Sequence, residues 1–354
     1  MPDAWILPKN GQSTLWVRPD ATHYRHADRT LVEKGPVAMP PQSPHWFDPA
    51  QDILVYADKG RLHIVRGLSQ QTKPEIVKLP GTPAIHALFV VDDVVFVGSD
   101  SGKNMLGYVD LRGPLQWRSI PVAREINWTG KGIDGFARRG SKLVAIDDIV
   151  LPRYLFLLDI SDPRNPRAVE HRDLPAHSSG ERIRSVVSND DIVVMLSSSG
   201  NHGAASLHIA FYDLESLAEY ATLTVQHIHS FRRWSSSSYE FHKLALIDQT
   251  LVIAADNDGL ALLPVPPIPS EKPQTDTKTH VDPETGVKYS FLAHAPPLAE
   301  QRLQFVKVEQ GPVVDVVALD KHTAGAIVSR PGKGFFRRDS LDSVWVALPQ
   351  SGDS

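Results

Sequence analysis

Apolar residues in this chain come in short runs of about five to seven positions, rich in Val, Ile and Leu, cut at close intervals by Gly, Asp and Pro. Asp52-Ile-Leu-Val-Tyr-Ala-Asp58, the pair Lys59-Gly60 and Arg61-Leu-His-Ile-Val65 read as a hairpin, followed by a strand from Glu75 to Leu79. The same order recurs. Ile85 to Val91, Val94 to Gly98 and Met105 to Leu111 make a second unit, with Asp100-Ser-Gly102 as its turn. Ile133 to Ala137, Leu143 to Asp147 and Tyr154 to Ile160 make a third. Further units open at Ile183, Phe241 and Val313, the last finishing near Val344 to Leu348. Helical spacing is nearly absent; Leu214 to Tyr220 is the one tempting stretch, and it reads equally as a turn between strands.

Units of about 40 to 70 residues, each with four short strands, predict an all-β repeat fold, and the rhythm is that of a β-propeller. Six units are legible. The segments Trp5 to Leu7, Leu15 to Val17 and Thr30 to Val32 supply strands for a further blade, with the ring closed between N- and C-terminal strands. Seven four-stranded blades are therefore expected, with six as the second choice, and residues 1–354 are read as a single propeller domain. Residues 264–301 break the rhythm. They are rich in Pro, Thr, Lys and Asp, and a stretch with so few core-forming side chains cannot offset the entropy of ordering. An exposed, partly disordered insertion within the fifth unit is expected there, with Phe305 to Val308 as that unit's late outer strand.

One unit carries a more specific spelling. Leu155 to Val169 reads L-F-L-L-D-I-S-D-P-R-N-P-R-A-V, an apolar strand, an Asp159-Ile-Ser-Asp162-Pro163 turn, a second proline at Pro166 and a return strand. This segment resembles the repeat of LVIVD-type β-propellers. Tyr108-Val-Asp110 and Phe211-Tyr-Asp213 stand in the corresponding places of the second and fourth units, and Leu260 to Pro264 in the fifth. The resemblance implies a propeller that works as an interaction module and brings no catalytic residues with it. Physically, the Asp carboxylate of such a turn accepts backbone N–H bonds while Pro presets the next dihedral, so these Asp residues are read as structural. The same holds for Asp58, Asp100, Asp148 and Asp256 at the ends of second strands.

Composition narrows the function classes. The chain has 37 Lys+Arg against 41 Asp+Glu, a formal charge of −4, so no overall field favours nucleic acid or an anionic membrane. Cysteine is absent, which removes disulfides, thiolate nucleophiles and cysteine-held metal clusters and fits a reducing compartment. No run approaches the ~18 apolar residues of a membrane-spanning helix, and the N-terminal stretch lacks a basic segment followed by an apolar one. A cytoplasmic protein with other proteins as partners, and with no cofactor, is expected.

Aligning the units on their first strand brings out one polar set. Ile85-His86, Ile133-Asp134, Ile183-Arg184, Phe241-His242 and Val314-Asp315 each place an ionisable residue second. If these strands are innermost, alternation sends His86, Asp134, Arg184, His242 and Asp315 to the central channel, with His45 completing the first unit. Such a ring suits a small anion or a metal, or a hydrolase or lyase with His86 or His242 as base and Arg184 as anion clamp. It also suits a water-filled channel of mutually paired polar groups. His227 and His229 share a strand face, and with His242 they make a conceivable three-histidine metal site. Two loops pair arginine with aromatics, Phe231 to Trp234 and Phe335 to Arg338, and Arg232, Arg233, Trp234, Phe336 and Arg337 are the candidate partner-binding residues. The signatures of zinc proteases, serine hydrolases, P-loops and dinucleotide folds are missing. The reading that results is a non-enzymatic interaction platform, with the channel site as the alternative.

Overall fold

The computed structural model describes residues 4–18, 31–100, 105–122, 132–147, 153–174, 182–199, 206–225, 243–270, 280–281, 288–291, 295, 297, 303–330 and 340–349. They form seven sheets, one per blade of a β-propeller. The first blade holds β1 (Ala4–Lys9), β2 (Gln12–Val17) and β3 (Val32–Pro36). The second holds β4 (His45–Asp48), β5 (Ile53–Asp58), β6 (Arg61–Arg66) and β7 (Glu75–Lys78). The third holds β8 (Ile85–Val91), β9 (Val94–Ser99), β10 (Leu106–Asp110) and β11 (Arg118–Ser119). The fourth is β12 (Ile133–Arg139), β13 (Lys142–Asp147), β14 (Arg153–Asp159) and β15 (Arg167–Leu174), and the fifth is β16 (Arg182–Ser188), β17 (Ile192–Ser199), β18 (Ser206–Asp213) and β19 (Glu219–Val225). Next come β20 (Leu244–Ile247), β21 (Thr250–Ala254) and β22 (Leu260–Pro264), then β23 (His280–Val281), β24 (Lys288–Phe291) and β25 (Gln304–Val306). β26 (Val313–Ala318), β27 (Thr323–Arg330) and β28 (Ser340–Ala347) make the seventh blade. Among the described residues the one helical turn is Leu68–Gln70. Leu214 to Ala218 is a turn leading into β19.

Seven blades and an all-β chain agree with the sequence expectation. Packing explains why the strands are so uniformly apolar. Each blade is covered on both faces, so its strands bury successive residues to opposite sides. In β13, Leu143 and Ala145 pack with the third blade while Val144 and Ile146 pack with the fifth. Seven hydrophobic clusters result among the described residues, one between each pair of neighbouring blades. The cluster of Trp5, Leu7, Val314, Leu319 and Ile327 joins the seventh blade to the first and closes the ring.

Among the described residues closure uses side chains and single hydrogen bonds: β28 pairs with β27 in the seventh sheet and with no strand of the first. The Trp5 indole donates to the Ala318 carbonyl at 3.2 Å, and the Gly11 N–H donates to the Leu341 carbonyl at 2.8 Å. Trp16 meets Trp345 edge-on at 5.2 Å between centroids.

The LVIVD-like turn is polar stitching. Asp159 accepts the Ser161 N–H at 2.9 Å and Asp162 the Arg164 N–H at 3.0 Å. The Arg164 guanidinium then donates to Asp110 of the third blade at 3.1 Å, and its carbonyl accepts the Tyr108 hydroxyl at 2.7 Å. Asp213 does the same local work, accepting the N–H groups of Glu215 and Ser216.

The segment from 264 to 301 leaves the sixth blade and returns to it. Its described parts lie along two other blades. The Tyr220 hydroxyl donates to the Pro266 carbonyl at 3.2 Å, and the Ala295 N–H donates at 2.9 Å to the buried Glu219 carboxylate, which also accepts the Tyr212 hydroxyl. β24 pairs in parallel with β15, which extends the fourth sheet to six strands, and β25 then completes the sixth blade against β22. Ile268 and Val281 are exposed, whereas Ala295 is buried.

Two consequences are measurable. His171 is buried between rings, stacked on Phe156 at 5.0 Å and edge-on to Tyr154 at 4.2 Å. Burial pushes its pKa from 6.5 down to about 4. The unfolded chain therefore binds this proton more readily, and stability falls as the pH drops from about 6.5 to about 4, by up to about 3 kcal/mol. His171→Phe should lose less stability than wild type between pH 7 and pH 4.5 in urea denaturation; equal losses would refute the assignment. Gly98 lies where a Cβ would come within 2.5 Å of the Ile133 carbonyl oxygen in the next blade. Gly98→Ala should destabilise by about 1–3 kcal/mol in the same assay, since the Ile133 carbonyl oxygen, Cβ and Cγ2 that it would meet are not the far end of a flexible side chain.

Candidate functional site

The inner strands β1, β4, β8, β12, β16, β20 and β26 stand next to one another around the ring axis. They bound a central cavity of about 850 Å³, to which all seven blades contribute. That volume is in the range of small-molecule sites. Trp5, Trp46, Phe47, Phe89 and Phe136 supply aromatic wall, and His45, His86, Asp134, Ser185, Lys243 and Asp315 supply polar groups.

Local backbone geometry decides which residues reach it. β8, β12, β16 and β26 each carry a register shift at the same place, between Ile85 and Ala87, Ile133 and Gly135, Ile183 and Ser185, and Val313 and Asp315. A bulge inserts one residue and re-aims the strand. The inserted residues are His86, Asp134, Arg184 and Val314. Asp315 therefore does not share the register of His86 and Asp134; it is one step on, with Ala87, Gly135 and Ser185. In the sixth blade the matching residue is Lys243, whose carbonyl accepts the Ala254 N–H. It sits four residues before the closing pair Ile247–Thr250, as Ala87 does before Val91–Val94.

Two charge pairs follow from this placement. His86 Nδ1 lies 3.6 Å from Asp134 Oδ1, with Asp100 Oδ2 4.0 Å from the other ring nitrogen. Lys243 Nζ lies 3.0 Å from Asp315 Oδ2, while Asp315 Oδ1 accepts the Val316 N–H at 2.7 Å. Asp315 is nearly enclosed, its side chain 8% exposed, whereas Lys243 is 42% exposed and opens on the cavity. Ser185 Oγ accepts the Leu244 N–H at 3.1 Å and ties the fifth inner strand to the sixth.

His45 lines the cavity with its surface open to it, although protein surrounds it on the inside of the ring. Its Nδ1 is 2.9 Å from the Ser43 carbonyl, an oxygen that only accepts, so Nδ1 carries a proton. Enclosure lowers the imidazole's pKa, and the Lys243 ammonium adds to this, against the Ser43 carbonyl and the Asp315 carboxylate. The neutral form is thus favoured, with Nε2 as a hydrogen-bond acceptor.

Of the expected ring, the structure brings His86 and Asp134 together and sets Asp315 beside Lys243 instead. The backbone of Arg184 occupies the bulge; His242 lies outside the described residues. So do His227 and His229, and Arg232, Arg233, Trp234, Phe336 and Arg337 of the partner-binding expectation. Among the described residues no group of three or more His, Asp or Glu is placed to hold a metal ion. Asp100 and Asp134 approach opposite nitrogens of His86, a geometry in which one cation cannot bind all three. In the sequence His242 takes this place in the alignment, and its neighbour Lys243 carries no signal of its own. Counting back from the Asp248-Gln249 hairpin would have found it.

No protein-family model matches the chain, and no curated protein is significantly similar to it. The LVIVD-type resemblance therefore rests on its motif, while the seven-bladed propeller stands on the fold.

The Lys243–Asp315 pair predicts an asymmetry. Lys243→Met leaves a nearly enclosed carboxylate without its cation and should cost about 1–3 kcal/mol, whereas Lys243→Met with Asp315→Leu should recover part of the loss. Urea unfolding of the four members of the cycle checks this, and strictly additive losses would contradict it.

Proposed function

We propose that the protein is a non-enzymatic β-propeller of the LVIVD-repeat type that serves as a protein-interaction platform in the cytoplasm. The observation that carries this reading is where apolar surface is left uncovered. Val32 on β3, Ile76 on β7, Val169 on β15, Val281 on β23 and Phe305 on β25 are all exposed, and all lie on strands towards the outer rim of their sheets. Among the described residues β7 and β25 are each paired on one side, which leaves backbone groups beside Ile76 and Phe305 open to a partner strand. An edge of this kind accepts an extended segment of a partner by main-chain bonds, with apolar side chains adding contact.

The described cavity charges face one another, His86 to Asp134 and Lys243 to Asp315, as in a channel lined by mutually paired polar groups. The arginines and aromatics Arg232, Arg233, Trp234, Phe336 and Arg337 belong to the proposal on their composition, as residue types favoured at interface centres. The cytoplasmic setting rests on a chain with no cysteine.

Affinity capture with the purified protein should recover a defined partner that rebinds in purified form. Ile76→Ser with Phe305→Ser, or Arg233→Ala with Trp234→Ala, should weaken that rebinding about tenfold or more at unchanged melting temperature. Partner binding indifferent to both double variants, or no partner at all, would sink the reading.

A further inference from the structure

The central cavity has features that a partner platform does not require. Lys243 places an ammonium on an aromatic-walled interior surface, and Asp315 accounts for one of its three N–H donors. The ammonium is 42% exposed and opens on the cavity, so an anionic oxygen is the natural complement to its remaining donors. Close enough to feel the charges of both Lys243 and Asp315 stands His45. Its Nδ1 proton is committed to the Ser43 carbonyl, which leaves Nε2 as an acceptor. The strand that carries His45 continues into Trp46 and Phe47, and Phe89 of the third blade also lines the space. Each of these three groups reads a different part of a small molecule: a carboxylate, a hydrogen-bond donor beside it, and an apolar body.

We propose that the cavity binds a small hydroxycarboxylate with an aromatic or aliphatic body, its carboxylate on Lys243 and its hydroxyl donating to His45. Asp315 is the positioning residue, holding the ammonium at the wall by its 3.0 Å contact while its own second oxygen is engaged by the Val316 N–H. A doubly charged anion fits less well, since Asp315 and Asp134 both line the same space. The site is independent of the rim surface, and its failure would leave the partner reading untouched.

Isothermal titration of the full chain with racemic 3-phenyllactate tests it, against two probes of nearly the same shape. 3-Phenyllactamide keeps the hydroxyl and loses the charge; 3-phenylpropionate keeps the charge and loses the hydroxyl. Phenyllactate should bind best, with the amide weaker by about tenfold or more and phenylpropionate weaker by several-fold. Lys243→Met should abolish the preference for acid over amide, and His45→Phe the preference for phenyllactate over phenylpropionate. Lys78→Met, on the exposed outer strand of the second blade, should keep both. Equal binding of acid and amide to the wild type overturns the proposal whether or not Lys243→Met folds, and so does the absence of binding at millimolar probe. Equal binding of phenyllactate and phenylpropionate overturns the role given to His45.

Discussion

Two-sided burial of the strands is the constraint on which the rest of this molecule depends. Every middle strand sends alternate residues into two different inter-blade clusters, so no blade has a core of its own. The ring is stable only when every interface is made, and the one between seventh and first blades joins parts of the chain more than 300 residues apart, as in the Trp5–Ala318 bond. Non-local contact of this kind costs loop-closure entropy before it returns anything. Large side chains concentrate there: Trp5, Trp16 and Trp345 meet where the closing contact cannot rely on a continuous sheet.

Tight radial packing shapes the middle of the ring. Gly98 and Gly135 allow inner strands to approach atoms of the next blade where a Cβ would clash. Repeated bulges at the start of four inner strands then turn one residue out of register. Two of the cavity's polar groups, His86 and Asp134, sit at these bulges, while Ser185 and Asp315 follow one step later on their strands. Charge pairing follows, because carboxylates and cations confined to one small space lower their energy by facing each other.

The periphery is held differently. Aspartates in the outer turns bind their own backbone, and arginines reach to the neighbouring blade, as Arg164 does to Asp110 and Arg139 to Asp213. These contacts are partly exposed and individually weak. They repeat around the ring and align blades that the apolar clusters hold together. The segment between β22 and β25 adds a longer tie, running past the fifth blade to the fourth and anchored by the buried Glu219.

What the sequence by itself determined is the repeat. Short β-branched runs, their turn residues and the Asp159-Ile-Ser-Asp162-Pro163 spelling act locally, through alternation and turn chemistry, and they point to a propeller, with seven blades preferred to six, and to the local N–H bonds of Asp110, Asp159, Asp162 and Asp213. Only the tertiary structure decided which polar residues share the cavity. Bulges leave no mark in spacing, so the sequence aligns Asp315 with His86, whereas the fold pairs it with Lys243, the neighbour of His242. The reach of residues 264–301 to another blade was equally invisible, because the pairing of β24 with β15 is set by where the ring places their backbones and not by any pattern within the segment. Alternation is a property of neighbours along the chain, whereas register between blades and the company a side chain keeps are properties of the closed ring.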